Sequence, residues 1–314
     1  MSGVFLSEKR LFQSFEPLTL GTKQIYDRYA KRLDTHLAAN VFFQDLYAWN
    51  FTSRNRFKIL DKYMFIIAKD EWYGEYVARP LLGPIDDASF QSAADEAYDS
   101  FARAGYPCVF GDISRAMLPA YLSLEGYSAN VDFDLDRSEY VFTKESFSES
   151  THKPSAREAI NYLKRHREFT VRPISTSDRE ELVRFTEECF CEWHSCEECS
   201  YGCDIVVLRR IMGAFDALGL SGAAIEANSE LLAFAIACVE RDTLFCIYQK
   251  VRRGVRGLNE LMRRILTGMC GEAYSLVNYS DDMGIEGLRS YKSRLGPHKL
   301  EHVYRVELKR DEKR

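Results

Sequence analysis

The sequence lacks any long hydrophobic run. Hydrophobic side chains make up 46% of its 314 residues, but no apolar stretch approaches the roughly 18–20 residues that a helix needs to cross a bilayer. The amino-terminal segment also has no basic start, apolar core and small-residue cleavage site of the secretory kind. We therefore expect a cytoplasmic protein without an integral membrane segment, whose nine cysteines are mostly thiols.

Signatures of several enzyme and binding classes are missing as well. The six histidines are scattered, and neither a Gly-x-Ser-x-Gly motif nor a Walker-type phosphate loop occurs, so a Ser-His-Asp or Cys-His nucleophile is not supported. Residues 1–150 hold 16 Lys and Arg against 22 Asp and Glu, and residues 151–314 hold 26 against 25. A chain-wide basic surface for long nucleic acid is thus absent. Any anion site must be local, and we expect it in the second half.

What the sequence does contain is a repeated order of elements. Three strands, a helix, a strand, a helix and a strand occur twice, without residue-level identity between the halves. This order predicts an α/β (α+β) protein with two domains, each a mixed sheet flanked by helices. Polar and turn-forming residues concentrate at 147–154, which places the predicted domains at residues 1–150 and 151–314.

Residues 278–297 carry the densest mixture of polar and apolar signals. An apolar run at 273–277 predicts a short buried strand before them. Ser280, Asp281 and Asp282 then offer acceptors and negative charge where a helix should begin. Apolar side chains at helical spacing follow, and Gly296 with Pro297 ends the helix. A strand and a helix with a polar junction are therefore expected.

Four polar residues of this stretch are candidates for a reacting centre. Asp282 is suited to accept a proton or hold an ammonium acceptor, although an N-cap role is equally compatible. Asn278, at the strand end, is suited to donate to a carbonyl or phosphate oxygen. Arg289 and Lys292 lie three apart on one helix and are suited to bind a carboxylate or phosphate, unless Arg289 simply pairs with Glu286.

A basic run precedes this stretch, between a strand predicted to end at Tyr248 and a helix starting near Gly257. Glycine allows close backbone approach, and the helix start offers N–H groups, so the junction predicts a donor phosphate site; a solvated basic loop is the alternative. The matching junction in the first half, 81–84, is apolar, so we expect one donor site, in residues 151–314. Tyr248 either protonates a leaving group or packs in the core. The predicted phosphate-binding residues are Lys250, Arg252, Arg253, Arg256 and Gly257.

Five cysteines and His194 fall within residues 189–203. Cys196 and Cys199 have knuckle spacing, so zinc is an alternative, but unmetallated thiols are favoured and no metal is predicted. Cys108, Cys238, Cys246 and Cys270 lie in apolar runs and are interpreted as core thiols. The alternative zinc ligands are Cys191, Cys196, Cys199 and Cys203.

The chain resembles a bacterial family related to the C-terminal domain of phosphatidylglycerol lysyltransferase. The resemblance implies two tandem acetyltransferase-like (GNAT-type) domains, akin also to the Fem aminoacyltransferases, with Arg157 of a linker helix at a substrate-binding position. Residues 252–257 depart from the usual GNAT phosphate-loop spacing, which leaves aminoacyl-tRNA at least as plausible a donor as acyl-CoA. The resemblance is carried most specifically by residues 282–289, and further by Asn278, Lys292, Pro297, Tyr140, Trp193 and the segments 42–49, 157–163, 218–222 and 249–250.

These observations predict an acyltransferase. It would transfer an aminoacyl or acyl group from aminoacyl-tRNA or acyl-CoA, with no tightly bound cofactor, to an amine or hydroxyl of a small-molecule, lipid or peptide acceptor. The alternative is a non-catalytic protein that keeps the GNAT-like fold and binds a nucleotide or RNA. The sequence does not indicate an oligomeric state.

Overall fold

The chain contains both helices and strands, singly or in runs of up to three, as its apolar periodicity predicts. The computed structural model describes residues 2–33, 35, 38–70, 73–85, 88–151, 153–190, 203–271 and 274–311. Up to residue 143 the elements are α1 (Ser2–Leu11), β1 (Glu16–Pro17), α2 (Lys23–Ala30), α3 (Phe43–Ala48), α4 (Asn50–Ser53), β2 (Arg56–Leu60), β3 (Tyr63–Asp70), β4 (Glu75–Ala78), α5 (Ser89–Ala104), β5 (Cys108–Ser114), α6 (Leu118–Leu122) and β6 (Tyr127–Thr143).

The remaining elements include the linker helix and the strand–helix pair that the sequence singles out. They are α7 (Lys144–Ser150), α8 (Pro154–His166), β7 (Thr170–Pro173), α9 (Arg179–Phe190), α10 (Asp204–Gly213), β8 (Ser221–Ala227), β9 (Glu230–Glu240), β10 (Thr243–Val251), α11 (Leu258–Met269), β11 (Leu276–Asn278), α12 (Glu286–Leu295) and β12 (Lys299–Arg310).

Unit 1 comprises residues Met1–Leu135 and Glu301–Arg314. Its strands follow the order β1-β2-β3-β4-β5-β12, with β6 next to β12. From β1 to β12 in this order, neighbouring strands are antiparallel except β4 and β5, which are parallel. Strand β3 is buried along nearly its whole length, and α5 buries Phe90 and Phe101. A hydrophobic strand and an amphipathic helix therefore build the core of this unit.

Unit 2 comprises residues Asp136–Leu300. Its strands follow the order β6-β11-β10-β9-β8-β7, antiparallel except for the parallel pair β10 and β11. Helix α11 buries Leu258, Leu261 and Leu266 along one side, as its spacing predicts, and Ile160 and Leu163 of α8 belong to the same core. The predicted α/β class, with a mixed sheet flanked by helices in each unit, is confirmed.

Strands β6 and β12 set the limits of the two units. The sequence predicts a strand that ends near residue 135, but β6 continues to Thr143. Residues 141–143 pair with β11 in unit 2, and residues 303–308 of β12 pair with β5 in unit 1. The division accordingly falls at residues 135/136 and 300/301 rather than at 150/151.

Two further properties are relevant to the site. Helix α12 begins at Glu286, with Ile285 as its N-cap residue, so the helix start expected at residues 280–282 is wrong; its end at Gly296, which adopts a left-handed conformation, is as predicted. Across the residues that the structure describes, no helix is both long enough and apolar enough to pass through a membrane.

The α8–α11 contact depends on a glycine. Gly257 has φ +87°, and a Cβ built there would overlap the carbonyl group of Ala159 in α8. Gly254 has φ +77° with nothing within 4 Å of the corresponding position. The two glycines share a left-handed backbone but differ in their surroundings, so they form a matched pair.

We expect Gly257→Ala to lower the free energy of unfolding by about 3 kcal/mol or more, because left-handed strain and overlap with α8 add. Gly254→Ala should cost only the backbone strain, about 1–2 kcal/mol. Chemical denaturation of both variants checks this. Equal losses in the two would contradict the packing role of Gly257.

Candidate functional site

Asp282 is a buried carboxylate of unit 2, 1% exposed, that accepts four hydrogen bonds. Its Oδ2 accepts hydrogen bonds from the Tyr140 hydroxyl at 2.6 Å and from Arg289 Nε at 3.0 Å. Its Oδ1 accepts from Arg289 Nη2 at 2.8 Å and from the Gly284 N–H at 3.0 Å. Burial by itself would raise the pKa of Asp282, but the bonds from Arg289 and Tyr140 outweigh it and hold that pKa below its ordinary value. Asp282 is therefore an ionised carboxylate, and it caps a turn rather than a helix.

Arg289 joins this carboxylate to strand β6. Its Nη2 donates to Oδ1 of Asp136 at 2.5 Å, so within the described part of unit 2 it pairs with Asp136 and Asp282 and not with the expected Glu286. These bonds raise the pKa of Arg289 above its ordinary value. Gly284 makes the approach possible, since a Cβ there would lie 2.7 Å from a carboxylate oxygen of Asp136. Asp136 and Asp282 thus share the Arg289 guanidinium, and Gly284 packs against the Asp136 carboxylate.

Asn278 is engaged by a second buried carboxylate. Its Nδ2 donates to Oε2 of Glu139 at 2.6 Å, and its Oδ1 accepts from the Ser280 N–H at 2.9 Å. Asn278 and Glu139 are each 1% exposed. Asn278 lies opposite Val141 in the β6–β11 pair, and Glu139 is two residues away, on the same face of the sheet. The amide therefore positions the end of β11.

Lys292 reaches inward from α12. Its Nζ donates to the carbonyl oxygens of Tyr279 at 2.6 Å and of Asp281 at 2.5 Å. It also lies 5.8 Å from the ring centre of Tyr140 and 5.2 Å from that of Tyr279. Burial lowers the pKa of Lys292, with Asp281 as the main opposing charge. The ammonium group fixes the backbone that connects β11 to α12.

Asp281 differs from its neighbours. Its side chain is half-buried, and none of the described residues donates a hydrogen bond to its carboxylate. Burial raises the pKa of Asp281 to about 6; the Lys292 charge opposes the rise and the Glu139 charge adds to it. Ser280 and Met283, in the same loop, have positive φ, of 61° and 51°. The loop thus presents an unbonded carboxylate that changes charge near neutral pH.

The predicted phosphate-binding residues lie at the end of β10 and in the segment that leads to α11. Lys250 Nζ pairs with Asp204 at 2.5 Å, and Arg256 Nη2 pairs with Glu158 of α8 at 2.7 Å. The Arg252 guanidinium lies 5.6 Å from the ring centre of Phe185, and Arg253 is exposed. The backbone space expected for a phosphate at Gly257 is instead filled by Ala159 of α8.

Two other predicted site residues, Tyr248 and Arg157, lie on elements other than those that carry the Asp282 cluster. Tyr248 is buried within β10, which continues to Val251, so its expected place at a strand end is wrong. Its hydroxyl donates to the Asp204 carbonyl oxygen at 3.4 Å, and its ring stacks on Phe234 at 5.7 Å. Arg157 is an exposed residue of α8.

Strands β10 and β11 part next to the cluster. Their pairing ends at Phe245 and Asn278, although β10 extends to Val251. Beyond that point a side-chain bond connects the two sides, from the Tyr279 hydroxyl to Oε1 of Gln249 at 3.1 Å. The separation leaves the β11-facing edge of β10 without a ladder partner among the described strands.

The sequence predicts four site residues in one region, and the structure brings them together there. They are Asn278, Asp282, Arg289 and Lys292. Sequence reasoning missed their partners on β6 because that strand was expected to end before them. The apolar run at residues 140–142 was the available signal that the strand continues. The residues to which the sequence analysis gave no role in the site are Asp136, Glu139, Tyr140 and, as a separate carboxylate, Asp281.

The cysteines contribute no described metal site. Cys191, Cys196 and Cys199 lie outside the described residues, and Cys203 directly precedes α10. Within the described ranges no group of three or more His, Cys, Asp and Glu residues is arranged to hold a metal. Cys246, beside the gap between β10 and β11, has its pKa raised to about 12 by burial, which makes it a poor nucleophile.

We expect Asp282→Asn to lower the free energy of unfolding by about 3 kcal/mol, because it removes the charge of a buried, fully bonded partner. Asp136→Asn, at a side chain that is 43% exposed, should cost less than about 1 kcal/mol. Since the pKa of Asp282 is lowered in the folded protein, the difference should be full at neutral pH and shrink as pH falls through that pKa. Urea unfolding at several pH values measures it; equal costs for both variants would contradict the buried pair.

Solved structures share this architecture. A conserved protein of unknown function from Bacteroides thetaiotaomicron VPI-5482 is 18% identical over 94% of this chain and 99% of its own, with a TM-score of 0.84. L-PGS from Bacillus licheniformis is 14% identical over 94% and 93%, with a TM-score of 0.63. A tandem GNAT protein from the clavulanic acid biosynthesis pathway is 11% identical over 94% and 98%, with a TM-score of 0.51. At these identities the likeness concerns the fold, and it confirms the expected GNAT-like class.

Family membership is decided by sequence. No curated protein is significantly similar to the chain. The family model described as phosphatidylglycerol lysyltransferase, C-terminal, matches residues 31–307, which include β6, β11 and α12 with the polar cluster between them. The chain therefore belongs to the phosphatidylglycerol lysyltransferase C-terminal family, as its resemblance predicted.

Proposed function

We propose that the chain is an acyltransferase that moves an aminoacyl or acyl group from a phosphorylated carrier, aminoacyl-tRNA or acyl-CoA, to an amine or hydroxyl acceptor. Small molecules, lipids and peptides all offer such acceptors. The observation that carries the proposal is the parting of the parallel strands β10 and β11 directly beside the buried Asp282 cluster. Family membership supports the reaction class.

The gap suits an extended donor. Past Phe245, β10 presents main-chain groups on its β11 side with no described strand against them. An arm that contains amides, such as pantetheine, can bond to such an edge as an added strand does. An aminoacyl ester at an RNA end would place its reacting carbonyl in the same position.

The basic segment supports binding of the carrier's phosphates. The Lys250–Asp204 and Arg256–Glu158 pairs are at least partly exposed, and exposed ion pairs contribute only about 0–1 kcal/mol each. A phosphate can therefore displace the carboxylates at little cost and bind Lys250, Arg252, Arg253 and Arg256. Gly254, with open space around it, takes the place of Gly257 as the point of close approach.

We assign the proton transfer to Asp281 rather than to Asp282. An amine must lose a proton as its nitrogen attacks the ester or thioester carbonyl carbon, and the carrier's oxygen or sulfur leaves with a proton. Asp282 already accepts four hydrogen bonds, whereas the Asp281 carboxylate accepts none from described residues. Asp282, Asn278, Arg289 and Lys292 act as positioning residues that fix the loop.

The carrier is identified by thermal melting of the purified protein with acyl-CoAs, nucleotides and aminoacyl-tRNA. One carrier class should raise the melting temperature, since a ligand that binds only the folded state stabilises it. Arg253→Glu should abolish that rise. Arg241→Glu, an exposed arginine of the β9–β10 turn, should preserve it. Loss in both variants, or in neither, would contradict a phosphate site in this segment.

Transfer should depend on pH through Asp281. Because its pKa is raised to about 6, the base is protonated below that pH, so the rate should rise as pH increases through about 6 and then level. Asp281→Asn should remove this acid limb and lower turnover by about 10²–10⁴-fold. Asp216→Asn, at an exposed aspartate of the same unit, should leave the profile unchanged.

The Asp281 variant should not fail through misfolding. A carboxyl whose pKa is raised on folding destabilises the native state as pH rises from its unfolded pKa toward its folded one. Asp281→Asn should therefore melt at or above the wild-type temperature at pH 7. Carrier binding without any turnover, in the wild type and both variants, would favour the non-catalytic nucleotide- or RNA-binding alternative.

A further inference from the structure

A groove of about 880 Å³ lies in unit 1, between the end of α1 and the junction of α4 with β2. Its size is that of a small-molecule site. Lys9, Arg10, Arg54 and Arg56 line it together with Phe12 and Glu8. Helix α1 precedes residue 31, where the family match begins, so one wall of the groove lies outside the matched region. The groove shares no residue with the Asp282 cluster.

The charge of the groove is unbalanced. Glu8 is its one lining carboxylate, 3.7 Å from Arg54 Nη1. Within the described ranges, no carboxylate pairs with Lys9, Arg10 or Arg56. This happens in a half of the chain with 16 basic against 22 acidic residues, and elsewhere a single arginine, Arg172, contacts three carboxylates. Clustered cations without counter-charges favour an anionic ligand.

The groove also has a flat, partly apolar wall. The Arg56 guanidinium lies 5.0 Å from the ring centre of Phe12, and that ring is held edge-on by Tyr76 at 5.3 Å. A guanidinium supported by an aromatic ring keeps its N–H groups for phosphate oxygens and offers a plane on which a base can stack. Arg54 is held beside it in a left-handed conformation with φ 49°. Cations and a stacking plane occur together.

We propose that this groove binds a nucleotide, either free or at the unpaired end of an RNA. Arg54 and Arg56 contact the phosphate, Lys9 and Arg10 neutralise a neighbouring phosphate, and the base stacks against Arg56 and Phe12. The site is additional to the donor segment in unit 2 and does not depend on the transferase proposal. It lies outside residues 151–314, where the sequence predicts an anion site.

The test uses the full chain and fluorescence polarisation of a labelled single-stranded oligoadenylate of about twelve nucleotides, a length within the usual footprint of single-strand sites. Wild-type protein should bind it, and Arg54→Glu/Arg56→Glu should weaken binding at least about tenfold. The slope of log affinity against log salt should fall by about 0.7 for each phosphate contact removed. Arg28→Glu, an exposed arginine of α2 in the same unit, should bind as the wild type does.

Competitors identify the source of the nucleotide. Displacement by AMP or ATP indicates a free nucleotide, and displacement by unlabelled oligonucleotide alone indicates an RNA end; either result supports the proposal. Equal displacement by inorganic phosphate would overturn it, as would binding to phosphatidylglycerol vesicles in place of the oligonucleotide. Binding that survives the double variant would overturn it too.

Two further variants keep the outcome decisive. If the double variant melts below the wild type, Lys9→Glu/Arg10→Glu, at exposed positions on α1, should show the same loss without a fold defect. Arg165→Glu, at an exposed position on α8 in unit 2, should leave oligonucleotide binding unchanged. Loss with Arg253→Glu alone would assign the binding to the donor segment and refute the unit 1 site.

Discussion

The Asp282 carboxylate is the constraint on which the polar region of unit 2 depends. It is removed from water, yet it stays charged because Arg289, Tyr140 and the Gly284 N–H direct four hydrogen bonds to it. These donors come from α12, β6 and the loop between β11 and α12, so one buried charge sets the mutual position of three elements. An unpaired carboxylate at the same depth would cost several kcal/mol.

The adjacent carboxylates of Asp281 and Asp282 differ in the direction of their pKa shifts. Asp282 is saturated with donors and keeps a lowered pKa, whereas burial raises the pKa of Asp281. Lys292 reduces this difference, since its charge lowers the pKa of Asp281, but its Nζ bonds to the Asp281 carbonyl and not to the carboxylate. Two identical side chains on adjacent residues thus have opposite pKa shifts because their surroundings differ.

The sequence was sufficient for the fold class and for the elements with strong periodicity. Helix α11 begins at Leu258, within one residue of the start expected near Gly257, because an apolar stripe that follows a glycine leaves little ambiguity. The start of α12 was misplaced because Asp282 has the chemistry of an N-cap, and only tertiary contacts show that its acceptors are used by Arg289 and Tyr140. Local signals cannot distinguish these two uses of a carboxylate.

Prediction of the site residues was also limited by the use of local sequence signals alone. Charged residues near Gly257 suggested a phosphate loop, but the space at this glycine is filled by Ala159, a contact between residues about one hundred positions apart. The partners on β6 were missed because strand length is set by pairing, and the pairing of residues 141–143 is with β11, far along the chain. Long-range register of this kind is not encoded in any local window.

The return of the chain to unit 1 through strand β12 has a consequence for biosynthesis. Unit 2 has all of its residues once the ribosome has passed residue 300, whereas unit 1 still needs the strand that begins near residue 301 and pairs with β5. The edge of β5 that β12 covers therefore stays uncovered until nearly the whole of these 314 residues has been synthesised. The amino-terminal unit completes its sheet with one of the last segments to be made.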